Sequence, residues 1–340
     1  IFVGILMLLV GAVFIYTPGD LFVTQILNAD SGILNPVVWI VYGAIFVYYI
    51  IATLFPIDKI IGRVYPIFGA VLVLSAIGVF IGLFVKGYPL DEIWNIGVSG
   101  VHPQGLHFMP VFFVTVACGI VSGFHSTQST LIARTMENEN EGRTTFYNMM
   151  IAEGFIAMVW AAAAMGVMKL GLAGADTPAT EVVGIVAKNL LGTVGGIIAI
   201  VGVIVLPVTS GDTALRSLRL MAADALHIDQ SKKRNRLTVS LVIFAVVAAL
   251  LIFSKMNAGG FNILWRYFAW ANQTIAVFAF AMIAVYMMNH KQPFIMSLVP
   301  GMFYMFVIAS FILNAAIGFN LPWTASYIIS GALTIAYGAA

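Results

Sequence analysis

Between Ser122 and Thr130 the chain reads Ser-Gly-Phe-His-Ser-Thr-Gln-Ser-Thr, so seven of nine side chains are hydroxyl, amide or imidazole groups. They follow Thr115-Val-Ala-Cys-Gly-Ile-Val inside the otherwise apolar segment 108–133. A helix facing hydrocarbon would not carry such a run. Gly119 and Gly123 lower helix stability and let the backbone open. Opened backbone exposes N–H and C=O groups that need partners, and a bound solute can supply them. Broken helices of this kind hold anions at helix N-termini and cations at carbonyl ends. The candidate substrate-binding residues are therefore Gly119, Ser122, Gly123, Phe124, His125, Ser126 and Gln128. A plainer reading stands beside this one. The two glycines also make a Gly-x-x-x-Gly packing motif, and Ser and Thr often bond back to the preceding turn. His125 and Gln128 favour function, because polar groups near a bilayer centre are costly.

Other polar groups lie in apolar surroundings. Glu153 falls about seven residues into the segment 146–168, roughly 10 Å of helical rise, where a carboxylate is either paired or protonated. It is a candidate proton carrier, or else a carboxylate wetted at the cytoplasmic edge. Thr209-Ser210-Gly211-Asp212-Thr213 closes the segment 193–209 just after Pro207. Its hydroxyls, freed carbonyls and one carboxylate suit a small hard cation such as Na⁺; Ser210, Asp212 and Thr213 are the candidate ligands. Alternatively, Ser210 or Asp212 caps the helix that follows. Asn272 and Gln273 read first as amides bonding across helices and second as pathway lining; Asn314 is a weaker case. Gly78–Gly82 and Gly192–Gly196 read as close helix contacts. Ser122 and His125, three apart on one helix face, would admit an intramembrane hydrolase, but no third group accompanies them. No metal-ligand spacing, phosphate loop or nucleophile elbow occurs. Cys118 is the only cysteine, which excludes an internal disulfide, and His102 and His107 read as a solvated pair.

The elements that must position these groups follow from composition. Of 340 residues, 61% are hydrophobic and 9% charged, against about 25% charged in a soluble domain. Ten segments are long and apolar enough to span a bilayer or nearly so: 1–17, 34–55, 65–85, 108–133, 146–168, 193–209, 238–253, 265–287, 294–317 and 324–340. They predict an all-α polytopic bundle, since irregular backbone cannot face lipid and no period-two alternation marks a barrel. The chain reads as one integral domain, 1–340. Thr17-Pro18-Gly19-Asp20, Phe55-Pro56-Ile57-Asp58 and Asn320-Leu321-Pro322-Trp323 read as turns. Pro178 and Gly192 bound an interfacial helix over 177–191. Residues 210–237 form an amphipathic and then basic segment; its helix, 210–226, continues the span 193–209. The basic run 229–236 belongs in the cytoplasm. Alternating outward from it places eleven Lys and Arg inside and five outside. The net charge of +2 and the sparse Lys and Arg exclude a nucleic-acid surface. The chain opens inside an apolar run without a signal-peptide pattern and closes without a polar tail, as expected of a fragment of a longer chain.

The stretch Phe113-Val-Thr-Val-Ala-Cys-Gly-Ile-Val-Ser-Gly-Phe-His125 resembles the carbon starvation protein CstA family. So do Met150-Ile-Ala-Glu-Gly-Phe-Ile-Ala, Ser210-Gly-Asp-Thr-Ala-Leu-Arg-Ser-Leu-Arg219 and Leu264-Trp-Arg-Tyr-Phe-Ala-Trp-Ala-Asn-Gln273. The match runs in order along essentially the whole chain and looks like the family's shorter form. The resemblance implies a bacterial inner-membrane transporter of peptides or pyruvate, coupled to protons and tied to carbon starvation. It also implies two inverted five-helix repeats, as in LeuT. On that mapping 108–133 is the broken first helix of the second repeat, running from outside to inside. The charge count gives it the same direction. Two helices would then precede Ile1. After His125 this chain reads Ser-Thr-Gln-Ser-Thr, where longer members differ, which leaves substrate choice open.

The expectation is a proton- or Na⁺-coupled symporter, without other cofactors, for a small carboxylate or short peptide. N–H groups around Ser122–His125 would hold the carboxylate and His125 or Glu153 the proton. A nutrient sensor that binds without transport, or a channel, is the alternative; no charged ring or filter marks a channel. Oligomeric state is not readable from these residues.

Overall fold

The computed structural model describes residues 2–54, 58–92, 94, 106–174, 177–257, 259–316 and 318–340, with backbone alone for 53–54, 58–65, 117–120, 126–128 and 131. The described elements are helical. They are α1 (Phe2–Leu21), α2 (Pro36–Leu54), α3 (Asp58–Val85), α4 (Phe108–Ile120), α5 (Gly123–Ala133) and α6 (Met149–Lys169). After them come α7 (Ala179–Ala225), α8 (Lys233–Met256), α9 (Gly260–Asn289), α10 (Ile295–Asn314) and α11 (Trp323–Ala339). Wider π-helical turns continue α1 over Phe22–Ile26 and lead into α6 over Arg143–Asn148.

Among the described residues, seven helices are long and apolar enough to cross a membrane. Three segments read from the sequence as spans fall outside that count for local reasons. The segment 108–133 is split into halves of 13 and 11 residues. The apolar stretch of α2 is described as a shorter helix, Pro36–Ala52, and α11 has 17 residues. The burial pattern suits lipid as solvent. Leu74, Val194, Met282 and Ile335 are exposed, whereas Asn272, Gln273, Ser310, Ser326 and Ser330 are fully buried. In water such an apolar surface would aggregate; in hydrocarbon only the polar groups must be hidden and paired.

The chain forms two compact units. The first comprises residues 1–6, 91–154 and 262–340, and so holds α4, α5, the start of α6, most of α9, α10 and α11. In it α10 packs along α11 and α4. Val114, Ala269, Val307 and Phe311 form one buried cluster, and Val277, Tyr304 and Ile308 a second, onto which Val121 packs. Of the turn expected over Asn320–Trp323, Asn320–Pro322 lie between α10 and α11, and Trp323 is already the first residue of α11.

The second unit comprises residues 7–90 and 155–261. Here α3 packs on α7, and α8 on α2 and α7. The glycines of α3 allow this approach: a Cβ at Gly78 would stand 2.7 Å from Leu191, and one at Gly82 would stand 3.2 Å from Leu190. Pro178 precedes α7, and Gly192 breaks it with φ +73°, ψ −178°, a conformation open essentially to glycine alone. The arm 179–191 and the rod 193–225 are thus distinct, as the Pro178 and Gly192 boundaries predict. Gly196 lets the two legs close, since its Cβ would meet the Lys188 backbone at 2.9 Å. Gly192 itself has open space around it and is an elbow, not a contact.

Two local expectations fail. Thr17–Asp20 is no turn: α1 runs through it to Leu21 with Pro18 inside. The residues 209–213 start no new helix either, because the rod of α7 passes straight through them. Neither Ser210 nor Asp212 is therefore an N-cap. The turn expected at Phe55–Ile57 lies outside the described residues.

Candidate functional site

The break expected in 108–133 is present in the first unit. α4 ends at Ile120, and Ser122 has extended angles, φ −120° and ψ 122°, before α5 begins at Gly123. Ser122 occupies the N-cap position, yet its side chain makes no cap bond of the ordinary kind. The cap comes from another helix. The Phe124 N–H donates to Asn272 Oδ1 of α9 at 2.7 Å. Ser122 Oγ lies 3.1 Å from that oxygen and 3.0 Å from Asn272 Nδ2, which donates to it. Asn272 is fully buried, so its amide needs protein partners, and the break supplies them. The interhelical bond expected of Asn272 is therefore made, and its partner is the opened backbone.

Gly123 has a steric reason to be glycine. A Cβ there would stand 2.6 Å from Ile275 Cβ and 2.8 Å from Ala276 N, and nearer still to the Asn272 carbonyl oxygen. The packing reading of this glycine holds: close approach of α9 brings Asn272 onto the break.

One turn into α5, His125 Nε2 lies 3.2 Å from Glu153 Oε2 of α6. Both side chains are partly open, 33% and 44% exposed. His125 Nδ1 is buried and finds no hydrogen-bond partner among the described residues, and the His125 N–H is engaged by Ser122 O at 3.1 Å. The pairing unites two groups read separately from the sequence. An imidazole facing a carboxylate at this distance is a pair between which one proton can be shared. The hydrolase arrangement finds no support, since the Ser122 hydroxyl faces Asn272 and Ser122 stands off the helix, where three-residue spacing no longer implies a shared face.

The backbone places Gly119 at the end of α4, and Ser126 and Gln128 in α5, but their surroundings lie outside the described residues. Phe124 is half-buried, and its ring lies 6.3 Å from that of His125. Gln273 is fully buried in α9. Asn314 donates to Leu321 O at 2.9 Å and so holds a turn. His107 stacks on Trp323 at 4.2 Å and reaches Tyr327 Oη at 2.7 Å, while His102 lies outside the described residues.

Ser210, Asp212 and Thr213 belong to the second unit. Asp212 is 3.4 Å from Arg216, and the Thr213 hydroxyl donates to Thr209 O at 3.3 Å. The same unit holds a buried ion pair that the sequence reading passed over. Lys255 Nζ lies 2.8 Å from Asp20 Oδ2, each side chain 5% exposed. Tyr42 Oη donates to Asp20 Oδ1 at 2.5 Å, Lys255 also donates to Ser31 O at 2.7 Å, and the ammonium sits 4.4 Å from the Tyr16 ring centre. Two lone opposite charges, one at each of two apolar helix ends, were its signal.

Residues 1–194 and 174–310 match the family model described as carbon starvation protein CstA. An uncharacterized membrane protein of Haemophilus influenzae is 37% identical over 199 residues, 46% of this chain and 54% of that protein. An uncharacterized protein of the same organism is 44% identical over 89 residues, 26% of this chain and 60% of that protein. The pyruvate/proton symporter BtsT of Escherichia coli is 35% identical over 82 residues, 24% of this chain and 11% of the symporter. The chain spans about half to three fifths of the two Haemophilus proteins. No solved structure matches it.

Proposed function

The chain belongs to the carbon starvation protein CstA family, and from that premise we propose that it is a proton-coupled symporter importing a small carboxylate, with pyruvate as first candidate and short peptides as second. It is a multi-pass protein of the bacterial inner membrane. The observation that carries the proposal is the broken α4–α5 helix with His125 3.2 Å from Glu153 one turn beyond the break. The similarity to a pyruvate/proton symporter supports the substrate class and the coupling ion. The transporter reading requires no covalent chemistry of the protein.

The mechanism follows from charge. α5 offers the positive end of its dipole at Gly123–His125. A proton shared by His125 and Glu153 adds positive charge beside that end. A carboxylate then binds the protonated state more tightly than the deprotonated one, and by linkage the bound carboxylate raises proton affinity equally. One proton and one carboxylate cross together. Asn272 Oδ1 accepts from the Phe124 N–H, so a carboxylate that binds this N–H would take the place of the amide oxygen. Gly119, Ser126 and Gln128 would complete the binding surface, with Gln273 at its margin. Ser210, Asp212 and Thr213 are retained as a secondary cation site for Na⁺. About ten spans in a LeuT-like inverted-repeat arrangement, forming a single transport domain, belong to the same proposal. In it the bundle rocks against a scaffold to alternate access. Import under carbon starvation would make it part of a stress response.

Uptake of labelled pyruvate and of labelled dipeptides into proteoliposomes, with and without an inward proton gradient, tests the reading. The expected result is gradient-driven accumulation of pyruvate that disappears in His125→Ala combined with Glu153→Gln. Accumulation unchanged in that double variant removes both residues from the mechanism. Binding without counterflow would instead make the protein a nutrient sensor.

A further inference from the structure

The basic run 229–236 has no part in the transport site, yet it folds into a specific arrangement. Arg219, near the end of α7, is only 6% exposed. Among the described residues no carboxylate answers it directly: its Nη1 donates to the neutral amide of Gln230, at 2.6 Å from Oε1. Arg236, in the first turn of α8, and Arg216 add positive charge within electrostatic reach, opposed by Asp212. Asp212 is itself on Arg216 at 3.4 Å. The nearest acid of the loop, Asp229, is taken by the Ser231 N–H and hydroxyl at 2.9 and 2.8 Å, which hold its carboxyl below the usual range.

Three nitrogens in this cluster find no hydrogen-bond partner among the described residues: Arg219 Nε, Gln230 Nε2 and Arg236 Nε. All three are donors. A buried donor left unmet destabilises the fold, and two of these belong to cations. The complement of several N–H donors with net positive charge is an acceptor-only anion. A carboxylate offers two oxygens; a phosphate group offers more, enough for donors on three side chains drawn from α7, the loop and α8. Guanidinium groups match phosphate oxygens in geometry as well as charge. Charge asymmetry puts this end of the bundle at the cytoplasmic surface, where basic pockets between helices meet anionic headgroups.

We propose that Arg219, Gln230 and Arg236 form a phosphate-binding site at the cytoplasmic junction of α7 and α8. Its occupant is a phosphate group, supplied by an anionic lipid or by a soluble phosphate. Arg236, half-buried where Arg219 is enclosed, is the residue that admits it. The site is separate from the transport reading and stands without it.

Thermal unfolding of the purified full chain in nanodiscs tests the assignment. One arm compares pure phosphatidylcholine with the same lipid carrying about a fifth phosphatidylglycerol. The other adds inorganic phosphate to phosphatidylcholine discs, with acetate at equal ionic strength as control. The expected result is a rise on the order of 3 °C in at least one arm, absent in Arg236→Gln and kept in the exposed-site variant Lys233→Gln. The arm that responds identifies the source. Arg219→Gln should also lose the rise, but where it fails to fold Arg236→Gln decides. No rise in either arm, an equal rise with acetate, or a full rise in Arg236→Gln overturns the proposal.

Discussion

Replacing Gly123 by alanine tests whether the broken helix depends on close approach of α9. The added methyl would stand 2.6 Å from Ile275 Cβ and 2.8 Å from Ala276 N, whereas carbon atoms in contact prefer about 3.5–4.0 Å. The Asn272 carbonyl and Ala276 N are backbone, so no rotamer change relieves the clash. The two helices must part by about 1 Å. The Phe124 N–H to Asn272 bond, now 2.7 Å, would lengthen to about 3.7 Å, beyond hydrogen-bonding range. Overpacking of this kind costs about 1–3 kcal/mol, and each lost hydrogen bond about 1 kcal/mol more. A destabilisation of about 3 kcal/mol should lower the unfolding midpoint by on the order of 5–10 °C. Hydrogen exchange at Phe124 should accelerate. Gly142→Ala is the control, because open space surrounds that glycine. A Gly123→Ala protein with wild-type midpoint and wild-type exchange at Phe124 would refute the packing argument and with it the account of the cap.

Three further outcomes are expected. Asn272→Ala leaves the Ser122 hydroxyl and Phe124 N–H without their partner and should cost about 2 kcal/mol, read as faster exchange confined to the first turn of α5. Asp20→Asn or Lys255→Met breaks a buried pair and should cost about 3–5 kcal/mol; the double variant should be less destabilised than the worse single one, and simple additivity in denaturation would show the pair to be uncoupled. Gly192→Ala forces a side chain into a glycine-only conformation and should cost about 1–3 kcal/mol, measured by thermal unfolding against the neutral control.

Much of this architecture was written in local chemistry. The helical class follows from apolar length alone. The elbow at Gly192 was visible because proline and glycine punctuate helices for reasons of backbone geometry. The break at Ser122 was legible because polar side chains and glycines cluster where lipid would forbid them. What escaped was pairing across distance. Nothing in the order of residues says that Asn272 caps a helix from 148 positions away, that Glu153 faces His125, or that Asp20 meets Lys255. Such contacts are fixed by how helices lie against one another. Thr17–Asp20 misled for a related reason: proline and glycine usually mark a turn in water. Inside α1 the helix tolerates both, and Asp20 gains a buried partner that a turn would not give it.

The elbow in α7 has a mechanical side. The arm is about 20 Å long and the rod about 50 Å at 1.5 Å per residue. Gly196 locks the two legs together against Lys188, so they form a crank instead of a loose joint. The arm is seated on α3 through Leu190 and Leu191. A rotation of about 10° about the elbow carries the arm's tip some 3 Å and the rod's tip some 9 Å. Leverage of this kind makes the arginine-bearing end the place where a small tilt at the opposite surface is felt most strongly.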